Sequence, residues 1–273
     1  MPGPFTVFDC HHHVGDVREF LAGAVVEPGP AEAEERRRRI AIMDGGGVEQ
    51  AVVIPSHAYP RPGGLADTHR VNDAIAAYRD AAPDRFPVAV GIVEPLYQEA
   101  GYVELERCAH ELRLGGISFH ARFQGISMDN PWVRDYVGRM GELGLVPFLH
   151  ALTEASDEAL WKVGTVARAF PDLSMLVLDA FSTFEGTKEV SQVAELCPNL
   201  LFDTSLAYNA DFIEVFARRF GADRVVFGTD LYSPPVGRRI SHILSQLLES
   251  ELSDDDKAAI VGNNARRLLG LLT

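Results

Sequence analysis

The stretch FTVFDCHHH, residues 5–13, is a short run of β-branched and aromatic residues that ends in an aspartate, a cysteine and three histidines. β-Branched and aromatic residues favour a strand, so this stretch predicts a strand with chemically active side chains at its end. A doubly wound nucleotide-binding sheet usually carries a Gly-rich phosphate loop at this place, and the histidines argue against that fold.

The side chains at the end of this strand are expected to alternate between two faces. Asp9, His11 and His13 then point one way, while Cys10 and His12 point the other. Two imidazoles at positions i and i+2 can reach one ion at a strand end. A His-x-His pair alone is a weak indication of a metal site.

Seven similar runs follow along the chain, and each is short, apolar and rich in β-branched or aromatic residues. They are QAVVIPS (50–56), FPVAVGIV (86–93), GISFHAR (116–122), LVPFLHA (145–151), LSMLVLDA (173–180), LLFDTS (200–205) and RVVFGTD (224–230). From the third of the eight runs onward, the starts are spaced by roughly 24 to 30 residues, which fits a strand, a turn, a helix and a turn.

Helical patterns separate these runs. One begins with Asn130 as an N-cap and Pro131 at the first helical position. Ser156 and Ser253 begin two others, and acidic residues follow each serine in the first turn. Eight βα units with nearly continuous apolar strands predict a parallel sheet buried on both faces. We therefore expect one domain over residues 1–273, a single (β/α)8 TIM barrel, with a doubly wound open sheet as the alternative.

The bulk composition argues against several classes of partner. The chain has 273 residues and a formal net charge of −14, and such a chain repels phosphate backbones and anionic lipid. We therefore expect neither a nucleic-acid nor a membrane partner, and we identify no signal peptide. The three cysteines, Cys10, Cys108 and Cys197, lie far apart without a CxxC motif, which predicts reduced thiols and a cytoplasmic protein.

Residues with metal-binding side chains end several of the predicted strands. His120 ends the fourth, His150 the fifth and Asp230 the eighth. Because an α/β barrel carries its active site at the C-terminal rim of its strands, we expect these residues to meet His11 and His13 there. Three imidazoles and a carboxylate suit Zn²⁺, with Mn²⁺ or Fe²⁺ as alternatives, and the ion would activate a water as a nucleophile.

The basic residues lead to two further expectations. None of the three lysines, Lys162, Lys188 and Lys257, ends a predicted strand, so a two-metal site bridged by a modified lysine is not expected and one ion is favoured. The run from Arg36 to Arg39 spreads around a whole helix circumference, which indicates a solvated face rather than an anion-binding patch.

Several motifs resemble the amidohydrolase superfamily, and more narrowly its metal-dependent hydrolases related to aminocarboxymuconate-semialdehyde decarboxylase. They are DCHHH, GISFHARFQG, LGLVPFLHA, NLLFDTS, DRVVFGTD and VGNNARRLLGL, and in their order and spacing they cover nearly the whole chain. By position, the resemblance implies that His11, His13, His150 and Asp230 bind the metal ion. It also implies that Asp230 takes part in proton transfer.

The chain departs from the family pattern at two positions. The family usually ends strand six with a histidine that helps to activate the bound water, whereas this chain has Asp179 there. It usually has a lysine two residues before the strand-four histidine, whereas this chain has Ser118. Asp179 could serve as the base, act as an additional ligand, or mark changed or lost chemistry.

Other residues near the rim are candidates for substrate contact. Arg122 follows His120 by two positions and could bind a substrate carboxylate in forked geometry. Gln124, Tyr232 and His57 could line the pocket, and His12 is expected to be structural.

These features lead to three hypotheses. The first is a hydrolase in which a metal-activated water attacks an amide, ester or lactone carbonyl of a small molecule, with Asp230 and either Asp179 or His120 moving protons. The second is a non-oxidative decarboxylase of an aromatic or unsaturated carboxylic acid, which the same scaffold supports in the resembled family. The third is a non-catalytic metal-binding barrel. The resemblance also implies a homodimer.

Overall fold

A computed structural model describes residues 5–16, 30–56, 63–233 and 242–272 of the chain. Within these ranges nine strands form one parallel sheet. They are β1 (Phe8–Asp16), β2 (Gln50–Pro55), β3 (Val88–Ile92), β4 (Gly116–Phe119), β5 (Val146–His150), β6 (Met175–Leu178), β7 (Leu200–Asp203), β8 (Val225–Val226) and β9 (Leu231–Ser233). Seven of the eight predicted runs contain one observed strand, β1 extends three residues beyond its run, and β9 was not predicted.

The order of the strands in the sheet is β8-β7-β6-β5-β4-β3-β2-β1-β9, and every neighbouring pair is parallel. The sheet therefore follows the sequence order, with β9 added beside β1. The Cys10 amide donates to the Phe227 carbonyl at 2.9 Å, which links β1 to the residue that follows β8. The carboxyl ends of all the strands lie along one edge, as parallel pairing requires.

Helices connect the strands. They are α1 (Pro30–Gly46), α2 (Leu65–Asp80), α3 (Tyr102–His110), α4 (Ala121–Gln124), α5 (Pro131–Leu143), α6 (Leu160–Ala169), α7 (Phe184–Leu196), α8 (Ala210–Phe220), α9 (His242–Glu249), α10 (Asp254–Ala258) and α11 (Asn264–Leu268). Among the helices of the described ranges, none is both long and apolar enough to span a bilayer.

The helix ends follow the local signals in two of three predicted cases. Asn130 caps α5 by accepting from the Trp132 amide, and Ser253 caps α10 by accepting from the Asp256 amide. Ser156 does not cap a helix. It begins a 3-10 turn, Ser156–Glu158, and α6 starts only at Leu160. The predicted helix over residues 156–172 is therefore two elements.

Apolar side chains pack on both faces of the sheet. The larger cluster lies between the sheet and the helices and includes Val53, Ile117 and Val177. A second cluster lies on the other face and consists of alternating residues of the same strands, namely Phe8, Cys10, Val52, Ile54, Val88, Val90, Phe148, Leu176, Leu178 and Val226, with Ala265 of α11. Burial on both faces explains why the strands are apolar at nearly every position.

The predicted alternation at the end of β1 is wrong at Asp9 and Cys10. Cys10 packs with Phe8 in the second cluster, while Asp9 binds His12 through a 2.8 Å contact between its Oδ2 and the ring Nε2. The pairing of β1 with β2 shifts register between Asp9 and His12. This bulge interrupts the alternation of side chains between the two faces of the sheet. Cys10, His11 and His13 therefore lie on the same face, which is the face of the second cluster.

Arg39 corrects the expectation of a fully solvated arginine run. Arg37 and Arg38 are exposed and bind Glu34, but Arg39 is completely buried. Its guanidinium donates to Glu35 and, from Nη2 at 2.7 Å, to the His13 carbonyl of β1.

The same Arg39 guanidinium also binds a second strand. Arg39 donates to the Leu231 carbonyl of β9 at 3.2 Å, and Glu35 accepts a second hydrogen bond from Tyr78 at 2.5 Å. One buried cation therefore ties α1 to β1 and to β9. The hydrogen bonds of Arg39 to the His13 and Leu231 carbonyls lie beside His13 and Asp230, two of the expected metal ligands.

We expect Arg39→Met to lower the free energy of unfolding by roughly 3–5 kcal/mol, because it leaves the Glu35 carboxylate buried without its cation. Chemical unfolding followed by circular dichroism measures this loss. Arg38→Met is the matched control, and since Arg38 is 59% exposed its substitution should change stability by less than about 1 kcal/mol. Equal effects of the two substitutions would contradict the assigned role of Arg39.

Candidate active site

Three imidazole rings converge at the carboxyl edge of the sheet. The Nε2 atom of His13 lies 2.9 Å from Nε2 of His11 and 3.3 Å from Nε2 of His150. Each of these three residues is at most 1% exposed to solvent. His11 and His13 come from β1 and His150 is the last residue of β5, so strands that are distant in sequence place these nitrogens together, as expected.

The opposite nitrogen of each ring is held by an oxygen atom. The contacts are His11 Nδ1 to Asp203 Oδ2 at 2.8 Å, His13 Nδ1 to the Pro55 carbonyl at 3.2 Å, and His150 Nδ1 to the Phe119 carbonyl at 3.0 Å. A carbonyl or carboxylate oxygen accepts, so the neutral rings carry their protons on Nδ1. Three Nε2 lone pairs then face one another, an arrangement that a cation between them would stabilise.

Asp230 adds a carboxylate oxygen to the same point. Its Oδ1 lies 3.3 Å from His11 Nε2 and 3.5 Å from His13 Nε2. This oxygen is buried and accepts no hydrogen bond from the described residues. Tetrahedral bonds of about 2.0–2.2 Å would separate donor atoms by about 3.3–3.5 Å, close to these distances. The four residues therefore fit a divalent metal ion.

Protonation in the metal-free chain follows the same arrangement. Burial alone would lower the pKa of His11, but Asp230, Asp203 and Asp179 outweigh it and raise that pKa to about 10. Burial, reinforced by Asp179, raises the pKa of the Asp230 carboxyl well above its usual range. Both shifts favour bound protons at this point, and binding of a divalent cation would release them.

A chain of polar groups lies behind His11. Ser205 Oγ lies 2.6 Å from Asp203 Oδ2, 2.8 Å from Asp179 Oδ1 and 3.0 Å from His11 Nδ1. The Asp179 amide donates to the other oxygen of Asp203 at 2.9 Å. Gly228 leaves room for this group, because a Cβ there would lie 2.6 Å from Asp203 Oδ2.

Asp179 lies at the predicted position, directly after β6. Its Oδ1 is 3.9 Å from His11 Nδ1, on the side of the ring away from Nε2. Burial raises its pKa to about 6, with Asp203 adding to the shift and His11 opposing it. Asp179 also has a positive φ of 66°, and Asp230 has one of 56°. Backbone conformations of this kind in non-glycine residues concentrate at functional sites.

His120 lies beside the three converging rings and stacks on one of them. Its ring is nearly parallel to His150, at 7° with 4.1 Å between centroids. Its Nδ1 is 2.8 Å from Glu158 Oε2, and Glu158 Oε1 is 3.1 Å from Nε of Arg122. Burial raises the pKa of Glu158 to about 7, against the opposing charge of Arg122.

The remaining candidates have different surroundings. Tyr232 stacks on His13, with 4.5 Å between ring centroids. The Gln124 amide binds main-chain groups at both ends, since it accepts from the His120 amide and donates to the Val93 carbonyl, so substrate contact by Gln124 stays a prediction. Ser118 Oγ lies 3.5 Å from His150 Nδ1. His57 lies outside the described residues.

Three residues at this edge were not singled out from the sequence. Asp203 ends β7, so the rule that found His150 and Asp230 would also have found it. Ser205 follows two residues later in the same stretch. Glu158 stands in a short 3-10 turn, for which strand and helix periodicity carry no signal.

A family model described as amidohydrolase matches residues 8–271. This match covers nearly the whole chain, so the chain belongs to the amidohydrolase family, as the sequence motifs indicated.

The relatives include decarboxylases. A 2-amino-3-carboxymuconate-6-semialdehyde decarboxylase of Dictyostelium discoideum is 24% identical over 240 residues, which are 74% of this chain and 66% of that protein. The chain therefore spans slightly less than two thirds of this curated relative. A solved 2,6-dihydroxybenzoate decarboxylase in complex with 2,6-dihydroxybenzoate has a TM-score of 0.73 at 20% identity and covers 99% of both chains.

A third relative was crystallised with a metal ion. The 5-carboxyvanillate decarboxylase of Novosphingobium aromaticivorans, complexed with manganese and 4-hydroxy-3-methoxy-5-nitrobenzoic acid, has a TM-score of 0.69 at 18% identity. It covers 98% of this chain and 96% of its own. In this chain, two groups of described residues could hold a metal ion, namely His11, His13 and His150, and His11, Asp179 and Asp203. The family and these relatives indicate an enzyme, against the non-catalytic hypothesis.

We expect Asp203→Asn to weaken metal binding by roughly 10- to 100-fold, the usual cost of losing a carboxylate that orients a ligand histidine. The carboxylate receives the His11 ring, Ser205 and the Asp179 amide, whereas an asparagine side chain has one acceptor oxygen and an amino group that repels other donors. Competition with a chromophoric chelator measures the dissociation constant.

Asp211→Asn is the control for this measurement, because it removes the same charge from an exposed position on α8 and should leave the affinity unchanged. Parental affinity in Asp203→Asn would show that His11 needs no orienting carboxylate.

Proposed function

We propose that this chain is a metal-dependent, non-oxidative decarboxylase of a small aromatic or unsaturated carboxylic acid. The observation that carries the proposal is that three Nε2 atoms and one carboxylate oxygen without a hydrogen bond from the described residues meet at a buried point, with Arg122 at the rim. The names of the relatives support the reaction, since all three are decarboxylases and two of them act on benzoates or vanillates.

The proposed ligands are His11, His13, His150 and Asp230. When bound, a divalent cation would polarise and orient the oxygens of a carboxylated substrate. Three imidazoles and a carboxylate favour Zn²⁺, while the manganese of one relative favours Mn²⁺, and metal analysis of the purified protein decides between them.

The other side chains have separate proposed roles. Arg122 binds a substrate carboxylate, because its Nε pairs by charge with Glu158 while 42% of the side chain remains exposed. Asp230, Asp179 and His120 hold or move the proton that replaces carbon dioxide on carbon. Tyr232 packs against His13 at the mouth of the site, and Gln124 and His57 remain proposed substrate contacts.

Hydrolysis of an amide, ester or lactone is the second candidate. Asp179 favours it, since a buried carboxylate with a pKa of about 6 could accept a proton from an attacking water. Decarboxylation needs no attacking water. A cationic side chain that binds the substrate carboxylate, such as Arg122, suits this reaction directly. Decarboxylation therefore accounts for Arg122 as well as for the proposed metal ligands.

The proposal includes the architecture around the site. We propose that the sheet closes as a (β/α)8 barrel, which the hydrogen bond from Cys10 to Phe227 supports, and that residues 1–273 form one domain with the metal at the C-terminal rim. The family resemblance supports a homodimer. A cytoplasmic location is supported by the three buried free cysteines.

The deciding experiment measures carbon dioxide release from a panel of hydroxybenzoates, including 2,6-dihydroxybenzoate, in parallel with hydrolysis of a panel of lactones and amides. We expect metal-dependent carbon dioxide release that a chelator abolishes and added metal restores. Asp230→Asn should reduce turnover by at least about 100-fold, since it removes both a ligand and a proton carrier.

Asp223→Asn, on the exposed surface before β8, is the control and should retain full turnover. Hydrolysis without carbon dioxide release would replace the first candidate by the second. Full activity in Asp230→Asn would refute the ligand assignment.

A further inference from the structure

Glu158 is a buried carboxylate within an exposed turn. It ends the 3-10 turn Ser156–Glu158, in which Ser156 and Asp157 are exposed while Glu158 has no solvent-accessible surface. Main-chain hydrogen bonds fix this turn, because the Leu152 amide donates to the Glu158 carbonyl at 3.1 Å and the Met128 amide donates to the Asp157 carbonyl at 2.7 Å. The side chain is thus directed into the protein by a rigid backbone.

The two oxygens of Glu158 serve different partners. Oε2 accepts from His120 Nδ1 at 2.8 Å and from the Arg122 amide at 3.4 Å. Oε1 lies 3.1 Å from Nε of Arg122. A buried carboxylate is tolerated where donors of this kind surround it. His120 and Arg122 both present donor groups to this carboxylate, and the hydrogen bonds go to Oε2, whereas Oε1 accepts none from the described residues and pairs with Arg122 by charge.

These contacts determine the orientation of His120. Its proton lies on Nδ1, toward Glu158, and its Nε2 is left as the acceptor. The face of the ring rests on His150, and its edge meets Phe123 at 73° with 4.3 Å between centroids. Ring stacking does not distinguish the two orientations related by a flip about χ2, whereas the contact with Glu158 does.

The same contacts determine the orientation of Arg122. Glu158 Oε1 lies at ion-pair distance from Nε without a hydrogen bond to it, the Arg122 amide donates to Oε2, and the guanidinium carbon lies 4.9 Å from the centre of the Phe123 ring. An arginine whose Nε is the nitrogen nearest to one carboxylate can offer its terminal nitrogens to a second, forked partner such as another carboxylate. Glu158 therefore orients the guanidinium without occupying the terminal nitrogens in this contact.

We propose that Glu158 is a positioning residue that holds His120 and Arg122 in one fixed arrangement beside the metal ligands, and thereby selects substrates that carry a carboxylate. The part that concerns substrate rests on the proposed function. The part that concerns His120 does not, because it is a statement about which ring nitrogen carries the proton.

The test is Glu158→Gln. A glutamine has one acceptor oxygen and one amino group, so it can satisfy either His120 or Arg122 but must place N–H against N–H on the other side. We expect 15N spectra of histidine-labelled, metal-loaded protein to show loss of the pure Nδ1–H form of His120, or the affinity for 4-hydroxy-3-methoxy-5-nitrobenzoic acid to fall roughly 10- to 100-fold. The His120→Gln spectrum identifies the signal among the nine histidines.

Asp157→Asn is the matched control, since it removes the adjacent exposed charge and should change neither readout. A parental His120 spectrum together with parental affinity for the nitrobenzoate in Glu158→Gln would overturn the proposal. If the parent decarboxylates nothing, the proposed function fails, while the His120 spectrum still tests the positioning role.

The double variant Glu158→Gln/Arg122→Met covers the case in which the single variant folds poorly. Its glutamine faces only one donor side chain, so the oxygen can turn to His120, and we expect the Nδ1–H form to return. Loss of that form in the folded double variant would overturn the proposal, since an acceptor alone would then not hold the ring.

Discussion

The site depends on one constraint, which is that three buried imidazoles direct their lone pairs at a single point. Each ring is fixed by an oxygen acceptor on its Nδ1 side, and these acceptors come from β2, β4 and β7. Three neutral rings could not satisfy one another, because an acceptor needs a donor or a cation, so either a proton on His11 or a bound cation has to supply the positive charge. The bulge in β1, the room left by Gly228 and the buried Asp203 all serve this arrangement.

Much of the fold follows from local sequence. β-Branched and aromatic runs mark eight strands, and parallel pairing then brings the strand ends to one edge, which is why His11, His13, His150 and Asp230 could be predicted together. The strand β9 contains only three residues, Leu231–Ser233, and such a short element has no period to detect.

Other features of the site depend on tertiary structure. The alternation in β1 fails at Cys10 because a bulge is a property of the pairing with β2 and not of β1 alone. Arg39 looks like its exposed neighbours in sequence, and only the packing of α1 against the sheet shows that it is buried. Glu158 is found only from the turn that directs it inward, since its neighbours Ser156 and Asp157 are both exposed.

The ligand set also bears on how the sheet is held together. His11 and His13 lie in β1, whereas Asp230 follows β8. The proposed ion would therefore connect the first strand to the residues that follow the eighth. Arg39 bridges β1 and β9 from the outside at the same place. A metal ion there would add one more connection at this place, beside the main-chain pairing of β1 with β9, the hydrogen bond from Cys10 to Phe227 and the buried guanidinium.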